Sequence, residues 1–263
     1  MRIGRIQNDY SDKGFAICKE QEMQFIEICC NHDHEAQAVV DAKKDIITRI
    51  NNTGIDVSCI GRWNHSVNAC GNIDPIKADG YYALLDTAME IGAKTFVCGC
   101  NYDPSVSLYK NYTCAINFFR SLVARAGDSG VKIAVQNCDW NNFIYEPINW
   151  DMVMGEVPEL YLKYDPSHCF SRGGNYVAEI SSYGKRIAHV HLKGKVLGQG
   201  KAKISDPPAG MDELNWGAIF AGLYSCEYDG DLSIEPHSAI WQGELGGAGV
   251  LFTRDFARKF VLR

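Results

Sequence analysis

Residues 186–192 read RIAHVHL and residues 231–235 read DLSIE, and these two short runs, with the segment between them, indicate the fold. Each run is rich in apolar residues, a pattern typical of a strand that is buried on both faces. The intervening segment ends in DELNWGAIFAGLYSCEYDG, residues 212–230, which has the apolar spacing of a helix. A strand, a helix and a second strand in this order favour a parallel pair joined by a right-handed crossover.

Six more runs of the same kind precede these two along the chain. They are RIGRI (2–6), QFIEICC (24–30), GIDVSCI (54–60), KTFVCG (94–99), VKIAVQ (131–136) and LYLKYD (160–165). Helical segments such as 35–52 and 80–92 separate them, and Gly54 and Gly92 stand where a C-terminal glycine cap belongs. Eight strands that alternate with helices predict a single (β/α)8 TIM barrel, an α/β fold that occupies residues 1–263 as one domain. A doubly wound open sheet is the alternative, but no G-x-G-x-x-G or phosphate-binding loop follows any of these strands.

Composition narrows the classes of function. The chain has 46% hydrophobic residues, enough for a large core, and a formal net charge of -6 without a Lys/Arg-rich run, which argues against a nucleic-acid partner. No stretch approaches the roughly 18–20 apolar residues that cross a bilayer, and the first residues lack the apolar core of a signal peptide. We therefore expect a cytoplasmic protein without a membrane partner. The eleven cysteines are scattered without paired C-x2-C motifs, which favours reduced structural thiols over a zinc site.

Polar side chains stand at the carboxyl ends of the last four predicted strands, where barrels of this kind build their active sites. Gln136 ends the fifth strand, Asp165 the sixth, His191 the seventh and Glu235 the eighth. Each has an ordinary explanation on its own, such as a turn residue before a proline or a hydrogen-bonded core histidine. Four such residues on neighbouring strands together predict a divalent metal site, with Mn²⁺, Co²⁺, Zn²⁺ and Mg²⁺ as candidate ions.

The order of these residues resembles the xylose isomerase-like TIM barrel family, especially its sugar and sugar-phosphate isomerase/epimerase branch. Members of that branch carry Glu, then Asp with a His three residues later, then His, then Glu at the same strand ends. This chain has Asp165 with His168, then His191, then Glu235, and its segments HVHLKG (189–194) and EYDGDLSIEPH (227–237) are also similar. The resemblance spans nearly the full length, and it implies a metal-dependent enzyme of carbohydrate metabolism that acts on a keto-sugar or sugar phosphate.

Position 136 is where the chain departs from that branch, because it carries Gln where the relatives have Glu. An amide oxygen can ligate a metal, but a neutral amide cannot accept a proton as a carboxylate does. Two-base epimerisation is therefore in question. Glu235 is left as the candidate base, with His168 as a general acid or hydroxyl ligand and Lys193 as an oxyanion partner.

Three outcomes remain open for a site with one base. The first, which we favour, is aldose–ketose isomerisation through an enediolate. The second is β-elimination by a dehydratase or a lyase that acts on keto-sugars or 3-keto-glycosides. The third is a non-catalytic subunit that binds sugar without turnover. DNA-repair endonucleases share the fold, but they need more zinc ligands on the early strands than His65 and Glu27 supply.

Further side chains are predicted to contact the substrate at the mouth of the barrel. They are Asn64 and His65 after the third strand, Asn101 after the fourth, His168, and the two apolar walls Trp63 and Trp140. Core packing explains a Trp about as well as a sugar contact does. Glu27 at the end of the second strand is a candidate to orient a ligand residue or to join a buried ion pair. The sequence leaves open the free or phosphorylated state of the sugar, the identity of the metal, and assembly as a homo-oligomer or with a partner subunit.

Overall fold

The computed structural model describes residues 1–201 and 203–262. Eight parallel strands form a closed barrel: β1 (Arg2–Ile6), β2 (Phe25–Cys30), β3 (Asp56–Arg62), β4 (Thr95–Cys98), β5 (Lys132–Gln136), β6 (Tyr161–Tyr164), β7 (Ile187–Leu192) and β8 (Asp231–Ile234). Each strand pairs with its neighbours in chain order, and β8 pairs with β1, so the sheet closes on itself. The predicted TIM barrel and its eight strands are confirmed.

Helices surround the barrel. They are α1 (Asp12–Glu20), α2 (Asp33–Asp41), α3 (Lys43–Thr53), α4 (Pro75–Ile91), α5 (Leu108–Ala126), α6 (Pro147–Met154), α7 (Pro166–Ser171), α8 (Tyr176–Tyr183), α9 (Trp216–Ser225), α10 (Ala239–Gln242) and α11 (Gly246–Arg258). Two short antiparallel hairpins lie in the loops, one formed by Asn68–Ala69 and Asn72–Ile73, the other by Val196–Leu197 and Lys203–Ser205. Across residues 1–201 and 203–262, no helix is long and apolar enough to cross a membrane.

The helical segment 35–52 differs from its prediction as a continuous helix. It is divided into α2 and α3 at Ala42, whose backbone has φ -82° and ψ 0°. Beyond the break, α2 packs against α4, and α3 packs against α1 as well as α4. The predicted glycine caps are present, since Gly54 and Gly92 adopt positive φ values of 72° and 83° at the ends of α3 and α4.

Two apolar clusters hold the fold together. The larger lies between the barrel and its helices and includes fully buried side chains such as Phe118, Trp150 and Phe220. The smaller fills the barrel and consists of Cys29, Cys59, Trp63, Val97, Ala134 and Ala188. All eleven cysteines are free, and most of them are buried as small apolar side chains.

The barrel interior also contains charged and polar side chains. Because successive side chains of a strand point to opposite faces, Lys163 and Asp165 at β6 share the inward face, as do His189 and His191 on β7. Glu27 on β2 is fully buried with them. Burying charges in this way requires close partners, and those partners define the candidate site.

Candidate metal and active site

The carboxyl ends of β6, β7 and β8 bring three possible metal ligands together. Asp165 directly follows β6, His191 lies near the end of β7, and Glu235 directly follows β8. One ligand atom from each of the three lies within 4.8 Å of the other two. Asp165 and His191 are 0% exposed, whereas the Glu235 side chain is 14% exposed. The three strand ends therefore bring these side chains together, and Glu235 has the more open carboxylate.

Glu27 orients the imidazole of His191. The Glu27 Oε2 atom accepts hydrogen bonds from His191 Nε2 at 2.9 Å and from His189 Nε2 at 2.8 Å. On its other side, His191 Nδ1 lies 3.0 Å from Glu235 Oε2. With its Nε2 proton held by Glu27, His191 would present Nδ1 to a metal, which would take the place of the proton that Nδ1 shares with Glu235. Burial opposes ionisation of His191, but Glu27 and Glu235 outweigh it and raise the pKa of the imidazole.

Lys193 brings a positive charge to the same place. Its Nζ atom lies 2.9 Å from Asp165 Oδ2, 2.8 Å from Glu235 Oε2 and 3.1 Å from His168 Nε2. Burial opposes the charge on Asp165 and on Lys193. Their attraction is stronger, so the pKa of Asp165 lies below its ordinary value and that of Lys193 above it. The ammonium also outweighs burial at Glu235 and keeps its pKa well below the usual value.

His168 is held neutral beside this ammonium. Burial and the nearby Lys193 charge lower the pKa of the imidazole well below its ordinary value. A neutral His168 accepts a hydrogen bond from Lys193 at Nε2 and carries its proton on Nδ1. Its side chain is 21% exposed, so the ring reaches the mouth of the barrel.

Gln136 is tied to His65 through its amide nitrogen. The Gln136 Nε2 atom donates to His65 Nε2 at 2.8 Å, and His65 Nδ1 in turn faces the Tyr81 hydroxyl at 3.0 Å. Burial, together with the charge of Arg62, lowers the pKa of His65 to about 3, so the ring is a neutral acceptor. Gln136 Oε1 is buried and has no hydrogen-bond partner among the described residues. Such an unpaired acceptor costs about 1–3 kcal/mol, which a cation at this oxygen would offset.

The donor set fits a divalent cation. Two carboxylates and one imidazole nitrogen, with the Gln136 amide oxygen as a candidate fourth donor, make a mixed set that suits Mn²⁺, Co²⁺, Zn²⁺ or Mg²⁺. The buried Asp165 Oδ2 also lacks a well-directed hydrogen bond in the described part of the chain, although it faces Lys193 and His168 as an ion-pair partner. A cation bound here would compete with the Lys193 ammonium for Asp165 and Glu235.

Comparison with known protein families identifies the family of this chain. The family model described as xylose isomerase-like TIM barrel matches residues 15–254. The chain belongs to this family. No curated protein matches the chain.

Several solved structures have the same fold. A xylose isomerase domain protein from Planctomyces limnophilus is 14% identical, with a TM-score of 0.78 over 98% of this chain and 96% of its own. D-psicose 3-epimerase from Clostridium cellulolyticum H10, solved with D-tagatose, is 15% identical, with a TM-score of 0.76 over 99% of both chains. The 3-keto-D-glucoside 4-epimerase from E. coli is 15% identical, with a TM-score of 0.74 over 98% of this chain and 99% of its own. At this level of identity the likeness shows the fold.

Three of the predicted substrate contacts are engaged with neighbouring residues in this xylose isomerase-like barrel. The Asn101 side chain donates from Nδ2 to the backbone oxygen of Asn68 at 2.9 Å and accepts at Oδ1 from the backbone N–H of Asn68 at 2.8 Å. Asn64, which has a positive φ of 57°, accepts a hydrogen bond from Asn141. His65 is buried behind Gln136 rather than open at the mouth. A direct sugar contact by these residues stays a prediction.

The two tryptophans predicted as walls lie at different depths. Trp63 is buried inside the barrel, and the Nζ atom of Lys163 lies 5.7 Å from the centroid of its ring. Trp140 is 44% exposed in the loop after β5. Of the two, Trp140 therefore has the larger free surface for a sugar ring.

Four polar residues near the site were not predicted from the sequence. The alternation of inward and outward side chains in β6 and β7 would have placed Lys163 and His189 in the barrel interior. Cys138 lies two residues beyond Gln136 and forms, with Asp139 and His168, a second group of donor atoms within 4.8 Å of one another. Asp139 is exposed and Cys138 partly exposed, so this second group lies nearer the solvent than the first.

Proposed function

We propose that this chain is a divalent-metal-dependent enzyme that moves a proton next to the carbonyl of a keto-sugar or sugar phosphate, with isomerisation as its reaction. The convergence of Asp165, His191 and Glu235 at one end of the barrel carries the proposal. The substrate class is supported by the solved structures of this fold that are named as keto-sugar epimerases. A cytoplasmic location, a single domain over residues 1–263 and assembly into a homo-oligomer remain predictions.

Asp165, His191 and Glu235 would hold the metal, with Gln136 Oε1 as a fourth donor. When bound, the ion supplies Lewis acidity to the carbonyl and the neighbouring hydroxyl oxygen of the sugar, which stabilises the charge that develops as a proton leaves. Glu27 contributes by holding the His191 ring in the orientation that presents Nδ1 to the site.

Glu235 is the proposed base. Its contacts with His191 and Lys193 are made through Oε2, which leaves Oε1 for the substrate proton. Because its pKa is lowered, Glu235 is ionised at neutral pH and ready to accept that proton. Lys193 donates hydrogen bonds in the same place and stabilises an enediolate oxygen. His168 carries a proton on Nδ1 that it can donate to a substrate oxygen.

Because position 136 carries an amide and not a carboxylate, β-elimination remains the second candidate reaction. Its amide is bound to His65 and cannot exchange protons, so Gln136 supplies no carboxylate as a partner to Glu235. The same base could therefore remove a proton while His168 or Lys193 protonates a departing hydroxyl or glycosidic oxygen, which is the reaction of a dehydratase or lyase.

The metal is tested by elemental analysis of the purified chain and of Asp165→Asn and His191→Gln variants. We expect near-stoichiometric Mn, Co, Zn or Mg in the parent protein and its loss in both variants. Asp231→Asn is the matched control, because this buried carboxylate lies at the opposite end of the barrel and pairs with Arg2. A parent protein that takes up none of the four ions would contradict the metal-dependent mechanism.

The reaction is tested by incubating the loaded protein with free and phosphorylated keto-sugars and with 3-keto-glycosides in deuterated water. Isomerisation predicts deuterium in the recovered sugar and a new aldose–ketose ratio, whereas elimination predicts an unsaturated or cleaved product. Glu235→Gln should lower either rate by about 10²–10⁴-fold because it removes the base. A folded, metal-loaded protein that binds sugar without proton exchange or elimination would instead be a non-catalytic subunit.

A further inference from the structure

The charges around the candidate metal site are already balanced by the protein itself. Asp165 and Glu235 supply two negative charges, and Lys163 and Lys193 supply two positive charges close by. Lys163 is only 1% exposed, and in the described part of the chain no carboxylate lies within 4.0 Å of its Nζ. Lys163 lies on β6 two residues before Asp165, so its charge acts on the site from within the barrel and not through an ion pair of its own. Glu27 is held separately by hydrogen bonds with His189 and His191.

Lys193 occupies the contact positions that a bound cation needs. Its ammonium touches Asp165 Oδ2 at 2.9 Å and Glu235 Oε2 at 2.8 Å. That same Oε2 atom lies 3.0 Å from His191 Nδ1, so Lys193 shares its anchoring oxygens with the proposed ligand set. The Lys193 side chain is almost fully buried, which keeps the ammonium at these oxygens. A divalent ion that takes both oxygens would meet a like charge at close range, which is strongly unfavourable where solvent is excluded.

We propose that Lys193 is a built-in counter-ion that keeps Asp165 and Glu235 in place without a metal and that a divalent ion binds only by displacing it from these oxygens. This inference deepens the proposed function and rests on its metal site. Gln136 acts in the same direction, because a neutral amide adds no negative charge to attract an ion. The chain should therefore fold without metal and should bind metal more weakly than the same donors would without Lys193.

The test is a calorimetric titration of chelator-treated protein with Mn²⁺ at one fixed pH, without sugar. Lys193→Met keeps the length and the apolar stem of the side chain and removes its charge. We expect this variant to bind Mn²⁺ at least tenfold more tightly than the parent, a change of about 1.4 kcal/mol. Lys195→Met is the matched control, because Lys195 is also buried but pairs with Asp206 rather than with the site. Its Mn²⁺ affinity should match that of the parent.

Two further variants separate charge from shape. Lys193→Arg retains the positive charge and should show no gain in affinity. Lys193→Gln removes the charge but keeps a hydrogen-bond donor, and it replaces Lys193→Met if that variant does not fold. An Mn²⁺ affinity that is unchanged or weaker in the neutral variants, or a tenfold gain in Lys193→Arg, would overturn the proposal.

A second readout is thermal unfolding without metal. The parent should melt cooperatively after treatment with a chelator, and the neutral variants should melt at lower temperature until Mn²⁺ is added, because two buried carboxylates have lost their counter-ion. Neither measurement depends on turnover. Failure to find a sugar reaction would count against the proposed function and would leave this inference standing.

Discussion

Replacing Glu27 with Gln preserves the shape of a fully buried side chain but removes the negative charge that two histidines share. Glu27 accepts hydrogen bonds from His189 and His191 at 2.8 and 2.9 Å. His191 Nε2 also lies 3.0 Å from Glu27 Oε1, so an amide with its oxygen at the Oε2 position turns its NH₂ group toward the His191 ring. His191 Nε2 then becomes an acceptor or loses this partner. As an acceptor at Nε2, the ring keeps its proton on Nδ1, and the lone pair that a metal needs there is absent.

The expected cost follows from these contacts. A hydrogen bond to a charged group contributes about 1.5–3 kcal/mol to stability. Losing one of the two hydrogen bonds to Glu27 and weakening the second should therefore lower the free energy of unfolding by about 3 kcal/mol. For 263 residues, an unfolding entropy of about 2.1 cal/mol/K per residue amounts to about 0.55 kcal/mol/K. The melting temperature should therefore fall by about 5 °C. Metal affinity should fall about 10–100-fold, as is usual when the group that orients a ligand histidine is changed.

The assay is calorimetric melting of the metal-free protein together with an Mn²⁺ titration. Glu179→Gln is the matched control, because this buried carboxylate also holds two partners, Tyr164 and Arg172, but lies outside the barrel. It should lose stability without a change in metal affinity. A Glu27→Gln protein that melts within 1 °C of the parent and binds Mn²⁺ equally well would refute the role given to Glu27.

Three more changes test other parts of the structure. Asp206 is buried and forms an ion pair with Lys195. Its charged partners lower its pKa despite burial, so its contribution to the free energy of unfolding is present above about pH 3.9 and is lost as the pH falls further. Melting curves from pH 7 to pH 2 should show the parent losing more stability on acidification than Asp206→Asn, and parallel curves would contradict this. Asp74 accepts hydrogen bonds from two backbone N–H groups at the start of α4. Asp74→Ala should therefore lower the free energy of unfolding, measured by chemical denaturation, by about 1 kcal/mol. In Gly61→Ala the new Cβ would lie 2.0 Å from the Trp63 ring. We therefore expect the free energy of unfolding to fall by about 1–3 kcal/mol and the Trp fluorescence to change. An unchanged spectrum would mean that the ring has room to move.

Much of the fold was predictable because local sequence patterns determine where its strands and helices begin and end. The eight apolar runs correspond to the eight barrel strands, and Gly54 and Gly92 end their helices as predicted. The carboxyl ends of parallel strands lie at one end of a barrel, so Asp165, His191 and Glu235 could be placed together from their positions at strand ends alone. The break at Ala42 was not predictable, because it depends on which helices α2 and α3 pack against.

The partners of the site residues were decided by the tertiary structure. Glu27 and His191 are separated by 164 residues and meet only because β2 and β7 face each other across the closed barrel. Gln136 at the end of β5 and His65 in the loop after β3 likewise meet although 71 residues separate them. A local pattern determines which way a side chain points from its strand. Barrel closure and the register between strands determine what it meets there, and those meetings orient the His191 ring and place the Lys193 ammonium between two carboxylates.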